Sequence, residues 1–326
     1  MVFLYKDKSV SGIFFLLLLL IAVHFHFFIA PPQLLINSND GFISTALHNI
    51  QTQTNSTVLF ILYLLSVFIQ AIRLNYALNN FKMFQQPHQT VAMSYILFSG
   101  FFVQWCVLSA AIIANFLVIW IFIKLAQLSS NTNPKTLLFN IGLITSCTIL
   151  AYHPTYIIVV VVLFALAIVR SFKLVEWVIL LMGLAVPFYF LASWLYLTNQ
   201  FHLIQNYLPD IHFHLPTKHF NYEIGFSSGA ILLILIVGLY FNSIHNARMI
   251  IQIRKNWSVL LIMLILFLPV SFIFGNSTLE ASFLSIIPLS AIAANAYSYP
   301  KRLLVSNFLF WLSILITLYI NRLLIL

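Results

Sequence analysis

The sequence predicts an all-α, polytopic transmembrane helix bundle, and three observations predict it. Only 6% of the 326 residues are charged while 62% are hydrophobic. Apolar runs of membrane-crossing length recur along the whole chain, and the basic residues fall between them. A soluble domain carries about 25% charged residues, because its surface must be wetted; here most of the outer surface must meet hydrocarbon. The 32 Phe and 14 Tyr suit lipid-facing helices and interfacial belts. A formal net charge of +9 could serve a nucleic-acid binder. The 15 basic residues are instead scattered singly or in pairs, as membrane anchors are, which argues against a nucleic-acid partner.

A helix needs about 20 apolar residues to cross a hydrocarbon core of about 30 Å. Val10–Ala30, Thr57–Ile72, Leu174–Thr198, Phe226–Tyr240, Ser258–Phe274 and Leu303–Ile320 meet that length closely enough, and Ala281–Tyr299 is less hydrophobic but long enough. The first run follows Lys6 and Lys8 like a signal peptide. It is too long for a signal h-region, and Ile29 to Pro32 make a poor cleavage site, so it is expected to remain as the first span. Val91–Ile123 and Leu137–Val169 have 33 residues each, about 50 Å as straight helices. In the second, Pro154 removes a backbone donor and pushes His153 out of the helical region, which predicts a turn with Thr155 near the next helix start. The first has Gln104, Trp105 and Cys106 at its centre and is read as a matching hairpin.

That makes eleven spans in one membrane domain covering residues 1–326, with the N-terminus inside and the C-terminus outside. Thirteen basic residues then fall inside and two, Lys218 and Arg322, outside, as the positive-inside rule expects. Trp120, Trp177 and Trp257 fall at inner boundaries and Trp105 and Trp194 at outer ones, leaving Trp311 mid-span.

Two outer loops draw the functional candidates. In the first, Phe42, Ile43, Ala46, Leu47 and Ile50 recur at helical spacing behind Asn39 and Asp40. This predicts a short interfacial amphipathic helix over about 40–52, capped by Asn39 or Asp40. Asp40 is also the carboxylate best placed to act as a base on a lipid-linked substrate. The second loop, about 199–224, holds Asp210, His212, His214, Lys218 and His219. Imidazole suits zinc or copper, but spacing in a loop does not establish convergence, so a solvated interfacial loop is expected, with no metal and no cofactor. His24 and His26 would lie about 200° apart on a helix and are read as interfacial residues. Cys106 and Cys147 lack any zinc or redox spacing and are read as buried free thiols.

Glu280 has the capping-box spacing with Ser277. The span it opens is rich in Ala and Ser and interrupted by Pro288, which predicts close packing inside the bundle. Asp40 and Glu280 are thus the candidate catalytic residues, and Lys218, His153, His212 and His214 the candidate substrate-binding ones. No Asp, Glu, Lys or Arg falls at mid-membrane, which counts against an ion-coupled carrier. No P-loop, dinucleotide fingerprint, zincin or nucleophile-elbow motif is present.

The segments Pro134 to Arg170, Phe172 to Trp177, Pro187 to Phe190 and Glu280 to Ser290 resemble an uncharacterised family of bacterial inner-membrane proteins. That resemblance implies a multi-pass inner-membrane location and a topology, with no residue roles. The architecture also resembles membrane glycosyltransferases that use polyprenyl-phosphate sugars, in which the first outer loop bears the catalytic carboxylate; only Asp40 matches that position. It implies envelope glycan or lipid-linked-sugar chemistry at the outer leaflet. A non-catalytic scaffold subunit of a membrane complex and a transporter or flippase for an amphipathic substrate stand beside it. Expected partners are membrane lipids, a lipid-linked substrate or other membrane subunits.

Overall fold

The computed structural model describes residues 1–6, 10–32, 34, 41–51, 55–131, 133–207, 222–246, 248–273, 279–300 and 303–325. Its helices are α1 Val10–Val23, α2 Phe42–Gln51, α3 Ser56–Asn80, α4 Thr90–Ser99, α5 Ala110–Leu128, α6 Lys135–Ala151 and α7 Ile157–Val169. They continue with α8 Leu174–Leu197, α9 Tyr222–Asn246, α10 Ile251–Phe267, α11 Val270–Ile273, α12 Ile286–Ser298 and α13 Leu303–Ile325. Among the described residues the β structure is confined to one isolated bridge, Leu34 with Leu108.

Seven helical stretches are long and apolar enough to cross a membrane: α3, α5, α8, α9, α10 with α11, α12 with the 3-10 turn Leu279–Ser285 before it, and α13. The apolar helices α1, α4, α6 and α7 are shorter. Each single apolar run of the sequence holds one of these helices, and each 33-residue run holds two.

The two long runs break for different reasons. In the second, α6 stops at Ala151, Tyr152 is extended, and Pro154 sits in the 3-10 turn His153–Tyr156. The Thr155 hydroxyl caps the break, its one proton shared between the Tyr152 carbonyl at 2.6 Å and the Thr148 carbonyl at 3.1 Å. In the first, no proline acts. Phe102 and Ser109 take extended backbone on either side of the short turn Val103–Trp105. Hydrogen-bond registers give the chain direction across this break. The Tyr63 hydroxyl donates to the Trp105 carbonyl and Gln70 Nε2 to the Ile112 carbonyl, so α3 and α5 run parallel. Asn79 Nδ2 donates to the His88 carbonyl and the Tyr95 hydroxyl to Gln70 Oε1, so α4 runs against both.

These contacts define two ends. At one, His24 meets Ser99, Trp105 Nε1 donates to Ser282 Oγ and Asn321 Nδ2 donates to the Val23 carbonyl. At the other, Gln89 N–H donates to the Tyr5 carbonyl, Trp257 Nε1 to Met83 and Lys255 Nζ to Val169. Of the eleven described Lys and Arg, ten lie in the half of the bundle toward this second end, and Arg322 lies at the first.

The small-residue span is the hub, as its composition predicts. α12 is almost wholly buried and packs against α4 and α9. Ser94 of α4 donates to its Ser290 carbonyl, and Gly238 of α9 lies against its Ile292 carbonyl. α6 and α8 cross with equal intimacy at Gly142 and Gly183. Pro187 inside α8 cannot donate to the Gly183 carbonyl one turn back, and in that loosened turn the Ser146 hydroxyl of α6 donates to the Leu184 carbonyl.

Four details differ from the sequence-based expectation. Trp105 and Trp257 stand at opposite ends of the bundle as expected, but they are core residues at 2% and 0% exposure, because each indole N–H finds a carbonyl or hydroxyl inside the bundle. Cys147 is exposed, being one position and so about 100° round α6 from Ser146, whose hydroxyl meets α8. The amphipathic helix α2 falls where expected, but it packs on α5 and α6 and buries Ser44 and Leu47 while Phe42 and Ala46 stay exposed. His24 and His26 do not sit on a continuing helix: α1 ends at Val23 and the chain enters the 3-10 turn Phe25–Phe28.

Candidate functional site

Of the sequence-predicted site residues, Asp40, Lys218, His212 and His214 lie outside the described residues. Glu280 and His153 are described, and both are buried, at 3% and 8% exposure. Glu280 stands in the turn Leu279–Ser285, whose Phe283 carbonyl accepts from Asn115 Nδ2 and whose Ser282 hydroxyl accepts from Trp105 Nε1. The turn is thereby clasped to α5 and to the break after α4. The partner expected for Glu280 as a cap, Ser277, is outside the described residues.

His153 belongs to an aromatic cluster. Its ring centroid is 6.0 Å from that of Tyr156 and 6.2 Å from that of Tyr207, and Tyr207 is 5.3 Å from Phe42. The Tyr156 hydroxyl donates to the Tyr207 carbonyl, tying the end of α8 to the start of α7. Gly41 anchors α2 beside this cluster. Its φ of +114° is a conformation that L side chains rarely adopt, and a Cβ there would meet the Ala151 carbonyl oxygen at 2.7 Å. Only glycine lets the chain pass so close to the end of α6.

A second cluster was not legible in the sequence. His24, His26 and Cys106 come together, one ring nitrogen of each histidine and the Cys106 sulfur all lying within 4.8 Å of one another. Their exposures are 0%, 1% and 2%. The two rings stand 6.0 Å apart, and Phe27 and Tyr63 pack around His24 at 5.5 and 5.0 Å. His24 Nε2 meets Ser99 Oγ at 3.1 Å, and His26 Nδ1 is hydrogen-bonded to Asn321 Oδ1. Cys106 Sγ reaches the Ser99 carbonyl at 3.8 Å. The one sequence signal was His24-x-His26 at the end of an apolar run; Cys106, 80 positions away, carried none.

Beside this cluster a groove of about 490 Å³ opens between the ends of α1 and α13, lined by Ala22, Phe25, Leu318, Asn321, Arg322 and Ile325. Its lining residues are apolar apart from Asn321, whose amide is already committed to His26 and Val23, and Arg322.

A family of unknown function, DUF6427, matches residues 35–324. The chain belongs to that family. No curated protein and no solved structure matches it.

Proposed function

We propose that this member of the family is a bacterial inner-membrane protein that crosses the bilayer eleven times, N-terminus inside and C-terminus outside, and holds an anionic lipid-linked substrate at the outer leaflet in envelope glycan metabolism. The gathering of ten described cations toward one end supports the orientation. The ten residues of α4 span only about 15 Å, so its crossing is completed by the chain at 100–109. Phe101, Phe102, Trp105, Cys106, Leu108 and Ser109 there are buried, and irregular backbone at membrane depth is tolerated where protein encloses it.

The groove with Arg322 on its rim carries the proposal. An apolar trough ending in a single guanidinium suits a polyprenyl or acyl chain with a phosphate head, since guanidinium binds phosphate through paired N–H donors. Asp40 is assigned as the base, with Glu280 assisting, and Lys218 as a second phosphate contact, with His153, His212 and His214 as further substrate-binding residues. Gly41, held against Ala151, tethers the chain next to Asp40 close to the His153 turn, which supports grouping those two.

Native mass spectrometry of the detergent-solubilised protein with a polyprenyl phosphate and with the matching polyprenol tests this. The phosphate should be retained over the alcohol, and Arg322→Ala should weaken retention about 10- to 100-fold, the worth of one charge-assisted contact. Equal retention of the two lipids, or indifference to Arg322→Ala, would refute it.

A scaffold role has one observation of its own. On α9, Gly225 and Gly229 form a G-x-x-x-G spacing whose surroundings are open, with nothing within 4 Å of an added Cβ. Such a face lets another transmembrane helix approach closely. Under that reading Gly225→Ile with Gly229→Ile abolishes a membrane partner's co-purification while leaving the chain folded.

A further inference from the structure

We propose that His24, His26 and Cys106 form a buried binding site for a single copper(I) ion. The hydrogen bonds around the two rings fix where their protons sit. Ser99 Oγ donates its only proton to the Ile96 carbonyl at 2.7 Å, so it accepts from His24 Nε2–H. Asn321 Nδ2 donates to the Val23 carbonyl at 2.9 Å, which turns its Oδ1 toward His26 and makes Nδ1 of that ring the protonated nitrogen. The lone pairs of both neutral rings are therefore on His24 Nδ1 and His26 Nε2. Those two atoms are buried without a hydrogen-bond partner, a state that costs about 1–3 kcal/mol each when nothing binds. Fixing a ligating ring through its opposite nitrogen is what outer partners do in metal sites.

The third donor is the Cys106 sulfur, which lies with one nitrogen of each ring in a cluster no more than 4.8 Å across. A closed-shell ion bound at ordinary His and Cys distances sets its ligand atoms about 3.5 Å apart. Closing about 1 Å takes small side-chain rotations on two 3-10 turns and their flanks, which no helical ladder locks. Soft thiolate with imidazole selects copper(I) or zinc(II), and charge separates them. Binding releases the Cys106 proton to solvent as the metal–sulfur bond forms, so one thiolate meets one cation. Copper(I) leaves the buried complex neutral, whereas zinc(II) leaves a net positive charge in a cluster that includes no carboxylate among the described residues, at a large desolvation cost. Three donors also complete a trigonal copper(I) shell, while zinc seeks a fourth.

The test is anaerobic titration of the full-length protein in detergent with copper(I) buffered by a chromogenic chelator, in competition with zinc(II). One copper per chain should bind, with a thiolate-to-copper near-ultraviolet band and an X-ray absorption spectrum showing one sulfur and two nitrogen neighbours. Cys106→Ser should lose the band, Cys147→Ser should keep it, and Asn321→Leu should weaken binding about 10- to 100-fold. Absence of stoichiometric copper, a copper spectrum without sulfur in the unmutated protein, retention of the band in Cys106→Ser, or preference for zinc would each overturn the proposal. The spectrum of the unmutated protein keeps the test decisive if a variant fails to fold. None of these readouts depends on the groove binding a lipid.

Discussion

Replacing Gly183 by alanine and Gly225 by alanine makes the same chemical change with opposite expected signs. At Gly183 the new methyl would lie 2.4 Å from the Phe139 carbonyl oxygen and 3.2 Å from the Gly142 Cα. Both belong to the backbone of α6, so no side chain can swing aside, and α6 and α8 must part by about 1 Å. Overpacking of this kind costs about 1–3 kcal/mol, partly offset by the roughly 1 kcal/mol by which Ala exceeds Gly inside a helix. The net expectation is a loss of up to about 2 kcal/mol, the difference of those two figures. At Gly225 an added Cβ meets nothing within 4 Å, so only the helix-propensity gain of up to about 1 kcal/mol remains. Reversible unfolding of each variant in mixed micelles, monitored by circular dichroism, measures both. Gly142→Ala meets the reciprocal clash, 2.5 Å from the Leu180 carbonyl oxygen. The double variant should cost less than the two singles together, because the helices part only once. Should Gly183→Ala and Gly225→Ala shift stability in the same direction, the close crossing of α6 and α8 is wrong.

Two further perturbations probe the polar groups at other depths. Tyr95→Phe removes the hydroxyl that satisfies buried Gln70 Oε1 at 2.6 Å and should cost about 1–3 kcal/mol. The same unfolding assay should find part of that loss restored by adding Gln70→Leu, and additive losses would contradict the pairing. His88, in the connection between α3 and α4, is 5% exposed. Burial, opposed by a backbone hydrogen bond and reinforced by the Lys6 charge, pushes it from 6.5 down to about 4. Its folded pKa lies below the unfolded one, so the unfolded chain takes up the proton first. The stability His88 contributes is complete above about pH 6.5 and falls away toward pH 4, by up to about 3 kcal/mol. His88→Gln should flatten the pH dependence of stability in that window; an unchanged slope would place His88 in water.

The sequence carried the architecture because bilayer thickness imposes it. The all-helical build with seven helices of membrane-crossing length among the described residues, the break at Pro154 and the tight packing of the Ala- and Ser-rich span before Tyr299 all follow from segment length, a missing N–H and side-chain size. Helix faces did not emerge, and the reason is the solvent. In lipid the outward face is as apolar as the inward one, so α5 buries Ile119 and Ile121 but not Trp120 with no periodic signal to say which. For the same reason the burial of Trp105 and Trp257 inside the bundle and the reciprocal Gly142 and Gly183 contact were invisible. The cluster of His24, His26 and Cys106 was missed on a different ground. Helical geometry was extended past Val23, where the chain in fact changes to a 3-10 turn, and a contact across 80 positions leaves no local pattern. Asp40, Lys218, His212 and His214 lie outside the described residues, so their roles rest on loop position and charge alone.

Action at the outer leaflet requires that the end that carries His24 and Arg322 face out of the cell while the cation-rich end faces the cytoplasm. Gln200, just past α8, and Lys82, just past α3, are exposed at the two ends. In a background with Cys106 and Cys147 replaced by serine, single Gln200→Cys and Lys82→Cys variants can be probed with a membrane-impermeant maleimide. Gln200→Cys should react in intact spheroplasts, and Lys82→Cys only after the membrane is opened. Reaction of Lys82→Cys from outside, or equal reaction of both before opening, would contradict the account.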